Sequence, residues 1–227
     1  MIIIKRRMMK EFVEQCGIYR IFRVGPEYLR NVAEFVVKVN YRHHTGNTYP
    51  ANLDEEINLV YEEELRYTAT SHIFIAESNA GEMIGCIRVA KWDMMNDLPM
   101  QKIFNVNPLE RIGCIRPDSS VWHVGRFAVG SNAGVSRVSL FKKLMVYAIT
   151  PICQETDSYM LAECDCKLLR VMGLLGIDTI KLGEGIHYLG SETIPVYAHR
   201  QGLLNFLYEY GSKSNSAKNY QGSVNVA

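Results

Sequence analysis

The 227 residues carry 25 basic and 24 acidic side chains, and a formal net charge of +1 offers no global field with which to hold nucleic acid or an anionic membrane. A hydrophobic fraction of 48% suffices for a sizeable core, and the length suits one domain better than two. No run of about 18 uncharged apolar residues occurs, which excludes a membrane-spanning helix.

The opening Met1-Ile2-Ile3-Ile4 is too short for the core of a secretion signal and precedes the positive charges. Six cysteines (Cys16, Cys86, Cys114, Cys153, Cys164 and Cys166) lie in apolar or strand-like stretches without framework spacing. Together these predict free thiols in a cytoplasmic protein. Cys164 and Cys166 lack the wider spacing and second pair of a zinc site, so no metal is expected.

Residues 17–24 (Gly-Ile-Tyr-Arg-Ile-Phe-Arg-Val) alternate with period two and end at Gly25-Pro26, predicting a strand and then a helix with Pro26 in its first turn. Leu29, Val32, Ala33, Val36 and Val39 give that helix one core-facing stripe and carry it to about Tyr41. Residues 42–58 break both periodicities and read as a long loop, hence a candidate lid; an acidic helix is expected over 55–66. Residues 72–77 and 83–92 form a hairpin about Ser78-Asn79-Ala80-Gly81-Glu82. Pro99, Pro108 and Pro117 keep residues 93–118 irregular, with a turn or two of helix at 100–104.

Residues 120–129 return to strand character. Val135, Val138, Phe141, Leu144, Met145, Ala148 and Ile149 mark an amphipathic helix that Pro151 is expected to limit. A short buried strand follows at 159–164, a helix with glycine at its end at 167–176, strands at 178–182 and 193–199, and a closing helix at 203–210. The expected organisation is one domain over residues 1–210, with a polar, flexible tail over 211–227.

Four local patterns fall in order on these elements. Ser71-His72-Ile73-Phe74-Ile75-Ala76 leads through the hairpin to Gly85-Cys86-Ile87-Arg88-Val89, and Arg126-Phe127-Ala128-Val129 closes a later strand. Leu168-Leu169-Arg170-Val171-Met172-Gly173 is followed by Gly176, and Leu182-Gly183-Glu184-Gly185 by Tyr188 and Gly190. In this order they resemble the acyl-homoserine-lactone synthases and the related long-chain N-acyl amino acid synthases. They are similar to that family's H-x-hydrophobic and G-x-x-R strands, its S-R-F-A-V strand, its L-x-R-x-x-G helix and its L-G-E-P and Y-x-G segment.

The resemblance implies the GNAT acyltransferase fold, an α/β (α+β) architecture with a central mixed, mostly antiparallel sheet flanked by helices. It also implies an N-acyltransferase that moves an acyl group, of long chain by the family comparison, from a phosphopantetheine thioester to the amine of an amino acid or related small molecule. No bound cofactor is expected. Where the family carries a glutamate three positions before the S-R-F-A-V arginine this chain has His123, and the serine is Gly125. The family's acidic D-x-x-D segment appears only as Glu64 with Tyr67, so its acceptor contacts do not carry over whole.

Acyl transfer to an amine needs a neutral nucleophile and stabilisation of the charge that grows on the thioester oxygen. In the GNAT fold the second comes from a backbone N–H where two strands splay. The matching place is the backbone of Ala128 and Val129 opposite residues 159–164, where one donor is worth about 3 to 4 kcal/mol. His123 is the candidate general base, with Glu163 on the neighbouring strand as its substitute; a histidine in a half-buried strand also serves as a hydrogen-bonded core residue. Arg88 and Arg126 lie among apolar residues and need paired anions, either an acceptor carboxylate or the run Glu62-Glu63-Glu64. With Phe127 they form the candidate substrate-binding set. His72 reads as structural support.

The loop Ser131-Asn132-Ala133-Gly134-Val135-Ser136-Arg137 has one glycine where CoA-dependent members of the fold have two or three. Ser131, Asn132, Gly134 and Arg137 are the candidate donor-binding residues, holding the single phosphate of a phosphopantetheine arm at a helix start. This favours an acyl carrier protein as the partner over CoA. Met100, Ile103, Phe104, Leu140, Leu144 and Met145 are candidates for an acyl tunnel or for plain core. Two other readings stand beside the first: a CoA-dependent N-acetyltransferase of small amines, and a non-catalytic module that binds acyl lipid or carrier protein.

Overall fold

A computed structural model describes residues 10–46, 48–130, 134–188 and 191–211. Ser131, Asn132 and the tail from residue 212 onward lie outside the described residues.

The chain runs β1 (Lys10–Cys16), β2 (Tyr19–Val24), α1 (Leu29–Thr45), α2 (Leu53–Leu65), β3 (Ser71–Ser78), β4 (Met83–Lys91), α3 (Pro99–Phe104), α4 (Pro108–Ile112) and β5 (Ser120–Val129). It continues with α5 (Arg137–Gln154), β6 (Ser158–Asp165), α6 (Cys166–Leu174), β7 (Ile180–Lys181), β8 (Ile186–Tyr188), β9 (Ser191–His199) and α7 (Arg200–Gly211). The strands make one sheet in the order β1-β2-β3-β4-β5-β6-β9-β7, with β8 also on β9.

Strands β1 to β5 pair antiparallel in chain order, β1–β2 and β3–β4 as hairpins, β2–β3 joined through α1 and α2, and β4–β5 through α3 and α4. Between β5 and β6 the chain crosses over through α5, and that pair alone is parallel, as a helical crossover requires. Strands β3 and β4 bury both faces: Phe74, Ala76, Ile84 and Ile87 meet the α5 side, while Ile73, Ile75 and Cys86 meet Val32, Val36 and Val39 of α1. The sheet is therefore covered on both faces, and its middle strands are screened from water. Among the described residues no helix is long and apolar enough to cross a membrane.

Several elements differ from expectation. The candidate lid over 42–58 is mostly helix: α1 continues to Thr45 and ends at Gly46 with φ 64°, and α2 already begins at Leu53. The last turn of α1 holds Arg42, His43 and His44, which favour the negative end of the helix dipole, so loss of apolar periodicity there did not mean loss of helix. Helix α5 passes through Pro151 to Gln154 because Ile149, Ile152 and Cys153 are buried in the core, which outweighs the missing helical hydrogen bond. Strand β1 has no apolar alternation to betray it; it is an edge strand rich in charge, paired only with β2.

Candidate active site

Two backbone irregularities open the centre of the sheet. Strands β5 and β6 pair only from Ser120↔Ser158 to His123↔Leu161. Beyond that point β6 stays on β9 as far as Asp165↔Thr193, while β5 stays on β4. Along β4 the register shifts, so that Arg88 faces Gly125 but Cys86 faces Ala128, leaving Arg126 and Phe127 opposite the single Ile87. Arg126 takes φ 53° to make this bulge, and Cys86 Sγ donates to its carbonyl at 3.1 Å. A bulge adds twist and bends its strand, here leaving an open slot between β5 and β6.

The slot holds a cavity of about 110 Å³. Asn40, Phe127, Asp165 and Leu168 line it and also line a wider groove of about 570 Å³ between the ends of α1, α5 and α6.

A string of charges runs along one wall of the cavity and behind it. Arg126 Nη2 donates to Glu63 Oε2, and its Nε donates to Glu64 Oε1 at 2.7 Å. Glu64 Oε2 lies 3.1 Å from Arg88 Nε. Arg88 then donates through Nη1 to the His123 carbonyl at 3.1 Å and through Nη2 to His123 Nδ1 at 2.9 Å. His123 Nε2 lies 2.8 Å from Glu163 Oε2. A guanidinium has only donors, so Nδ1 must accept; the imidazole is then the neutral Nε2–H tautomer and donates to Glu163. The other oxygen, Glu163 Oε1, is buried and has no partner among the described residues.

Arg88 is fully buried, and its guanidinium lies 5.0 Å from the Tyr67 ring centroid. Gly125 makes room for it: a Cβ there would fall 2.9 Å from Arg88 Nη2. Burial pushes the Glu163 carboxyl up, but the hydrogen bond it accepts from His123, with the charges of Arg88 and Arg126, outweighs it and holds the group below the usual carboxylate range. At Glu64 burial is likewise outweighed by Arg88 and Arg126. Burial raises the Tyr188 phenol, against the opposing influence of Arg126.

The structure thus gathers His123, Glu163, Arg88 and Arg126 at one cavity and joins them by hydrogen bonds and, between Arg88 Nε and Glu64, by an ion pair without a hydrogen bond. Both arginines are paired internally, with Glu63 and Glu64, so neither holds a free fork toward an acceptor carboxylate. The two backbone candidates separate by phase. Gly130 N–H donates to Ile84 on β4, so with alternating direction Ala128 N–H also faces β4 and Val129 N–H faces the open side. Ala128 is therefore corrected: its N–H belongs to the β4 ladder. Of the tunnel candidates, Ile103, Phe104 and Met145 line the cavity beside Met160 and Met172. Met100, Leu140 and Leu144 are buried in the core instead.

Arg137 opens α5 and lines the groove, with Ser136 as N-cap accepting from Ser139 N–H. Gly134 adopts φ 94° just before it. The groove also carries Arg42, His43 and Lys167, which sequence reasoning passed over; the signal was the basic last turn of α1. His72 bonds Arg23 at 2.7 Å and lines a separate pocket.

A mixed sheet whose one parallel pair splays past a bulge, with a helix starting at the mouth of the slot, defines the GNAT acyltransferase fold. No protein-family model matches the sequence, and no curated protein matches it. Solved structures do. FeeM, an N-acyl amino acid synthase from uncultured soil microbes, superposes with a TM-score of 0.56 at 18% identity, over 82% of this chain and 96% of that one. The AHL synthase LasI gives 0.53 at 13% identity, over 83% and 93%. BjaI, a CoA-dependent acyl-homoserine lactone synthase solved with SAM and isopentyl-CoA, gives 0.50 at 14%, over 90% of each chain. The chain shares the fold of these synthases, as the sequence patterns predict.

Proposed function

We propose that this protein is an N-acyltransferase that moves an acyl group, of long chain by the family comparison, from a phosphopantetheine thioester to the nitrogen of an amino acid or related small amine. The observation that carries the reading is the slot between β5 and β6, with the unpartnered Oε1 of Glu163 beside it and Val129 N–H on its open side.

In this reading the donor arm lies in the basic groove, its phosphate near Arg137, Arg42 and Lys167 at the start of α5. The thioester oxygen takes a hydrogen bond from Val129 N–H, which strengthens as negative charge grows on it. Glu163 rather than His123 acts as base, because the one lone pair of His123 is occupied by Arg88. His123 orients Glu163, and Arg88 holds His123 in the tautomer that does so. Phe127 separates the two chambers.

The donor's carrier is an acyl carrier protein, as the single glycine of the loop before α5 favours, and the six free thiols suit a cytoplasmic enzyme. No bound cofactor enters the chemistry. The test is thiol release from acyl carrier protein and acyl-CoA thioesters in the presence of amines. Turnover with carrier protein in preference to CoA is expected, and Glu163→Gln should lower kcat about 100-fold or more while leaving the donor KM within about twofold. Preference for CoA would overturn the choice of carrier, and release with neither donor would leave a non-catalytic binding module.

A further inference from the structure

We propose that the acceptor is a cationic amine with no carboxylate beside its nitrogen. The proposal rests on the acyl-transfer reading and deepens it, because it follows from the charges around the acceptor cavity.

The charges at the wall are three carboxylates, Glu163 on the cavity lining with Glu63 and Glu64 behind it, and two guanidiniums on the lining, Arg88 and Arg126. Neither guanidinium is left over. Arg126 lies between Glu63 and Glu64, and Arg88 is shared between Glu64 and two acceptor atoms of His123. His123 is neutral in the tautomer that Arg88 imposes. The remaining charged residue on the lining is Asp165, another anion, which caps α6 by accepting from Leu168 N–H at 2.9 Å. The start of that helix is therefore already occupied.

An amino acid acceptor would bring a carboxylate into this cavity, where no described side chain offers it an unshared cation. An unpaired buried charge is costly. The basic residues Arg42, Arg137 and Lys167 line the groove on the donor side of Phe127, where the donor phosphate takes them. An ammonium, by contrast, meets the unpartnered Oε1 of Glu163 and brings the net charge of these four carboxylates and two guanidiniums from −2 to −1.

The step balances. The ammonium gives one proton to Glu163 Oε1, and the neutral nitrogen attacks the thioester carbon. Collapse of the tetrahedral adduct breaks the C–S bond, and the second nitrogen proton goes to the leaving thiolate. The products are an N-acyl amine, a free thiol and one proton released from Glu163.

The experiment uses matched pairs: phenethylamine against phenylalanine, agmatine against arginine, and 1,4-diaminobutane against ornithine. Each is assayed for thiol release from acyl carrier protein and acyl-CoA donors and, by calorimetry, for binding to the donor-free protein. The amine should exceed its amino acid by about tenfold or more in kcat/KM. Glu63→Gln should narrow that ratio severalfold by releasing one side of Arg126 for a carboxylate, an effect that loss of folding alone would not produce. If the amino acids match or exceed the amines, acyl transfer stands and this proposal falls. If no acceptor is turned over, the acyl-transfer reading falls, and equal or absent binding of the amines overturns this proposal as well.

Discussion

Glu64 is the joint of the ion-pair string: it is 2% exposed and touches both Arg126 and Arg88. Glu64→Gln keeps the shape and removes the charge that the two guanidiniums share. Breaking a buried pair from one side costs about 3–5 kcal/mol. Arg126 retains Glu63, so the loss falls on Arg88 and the low end, about 3 kcal/mol, applies. For a domain of this size that lowers Tm by about 6–12 °C.

The pH dependence has a definite sign. Burial raises the Glu64 carboxyl, but Arg88 and Arg126 outweigh it and hold the folded value below the ordinary 4.5. A depressed carboxylate contributes stability fully above the unfolded pKa and loses it as pH falls through the folded one. The gap between wild type and variant should therefore be steady around neutral pH and close in acid below about pH 4. Thermal melts followed by far-UV circular dichroism at both ends measure this. A drop under about 2 °C at neutral pH, or a gap unchanged in acid, refutes the reasoning. Changing Glu64→Leu together with Arg88→Met should recover part of the loss, since no unpaired charge is then left buried.

Gly125→Ser should displace Arg88 from His123 Nδ1, since any Cβ there meets Nη2 at 2.9 Å, and so lower kcat more than about tenfold with the far-UV spectrum unchanged. Full activity in that variant would refute the positioning role of Arg88. Arg137→Ala should weaken binding of a phosphopantetheine probe about tenfold by calorimetry and flatten its salt dependence. Burial, followed by Arg137, His44, Lys167 and Arg42, holds His43 below its ordinary 6.5, so it is neutral at pH 7. A bound phosphate favours the charged form, and donor binding should tighten as pH falls from about 7.5 to about 5.5. His43→Asn should abolish that trend; an identical trend in the variant would assign it elsewhere.

Periodicity in the sequence was sufficient for the elements whose two faces differ. Strand β2, the β3–β4 hairpin, β5 and β6 were legible because their side chains alternate or run apolar between turn residues, and the order of four short patterns was enough to predict the fold. Elements held by neighbours rather than by their own pattern were not: β1 is a charged edge, β8 has three residues, and α5 crosses Pro151 because its next turn is buried. The sequence also nominated His123, Glu163, Arg88 and Arg126, since ionisable groups inside apolar strands must be explained by partners.

The partners themselves were beyond its reach. His123 and Glu163 are 40 residues apart and Arg126 and Glu64 are 62 apart, so which charges neutralise which depends on the register of β5 and the docking of α2. Whether Ala128 or Val129 presents its N–H to the slot depends on the phase of β5 against β4, set where the register shifts at Arg126 and Phe127. Local sequence determines which residue types lie on a strand; hydrogen-bond phase and charge pairing belong to contacts between distant segments, and only the folded chain decides them.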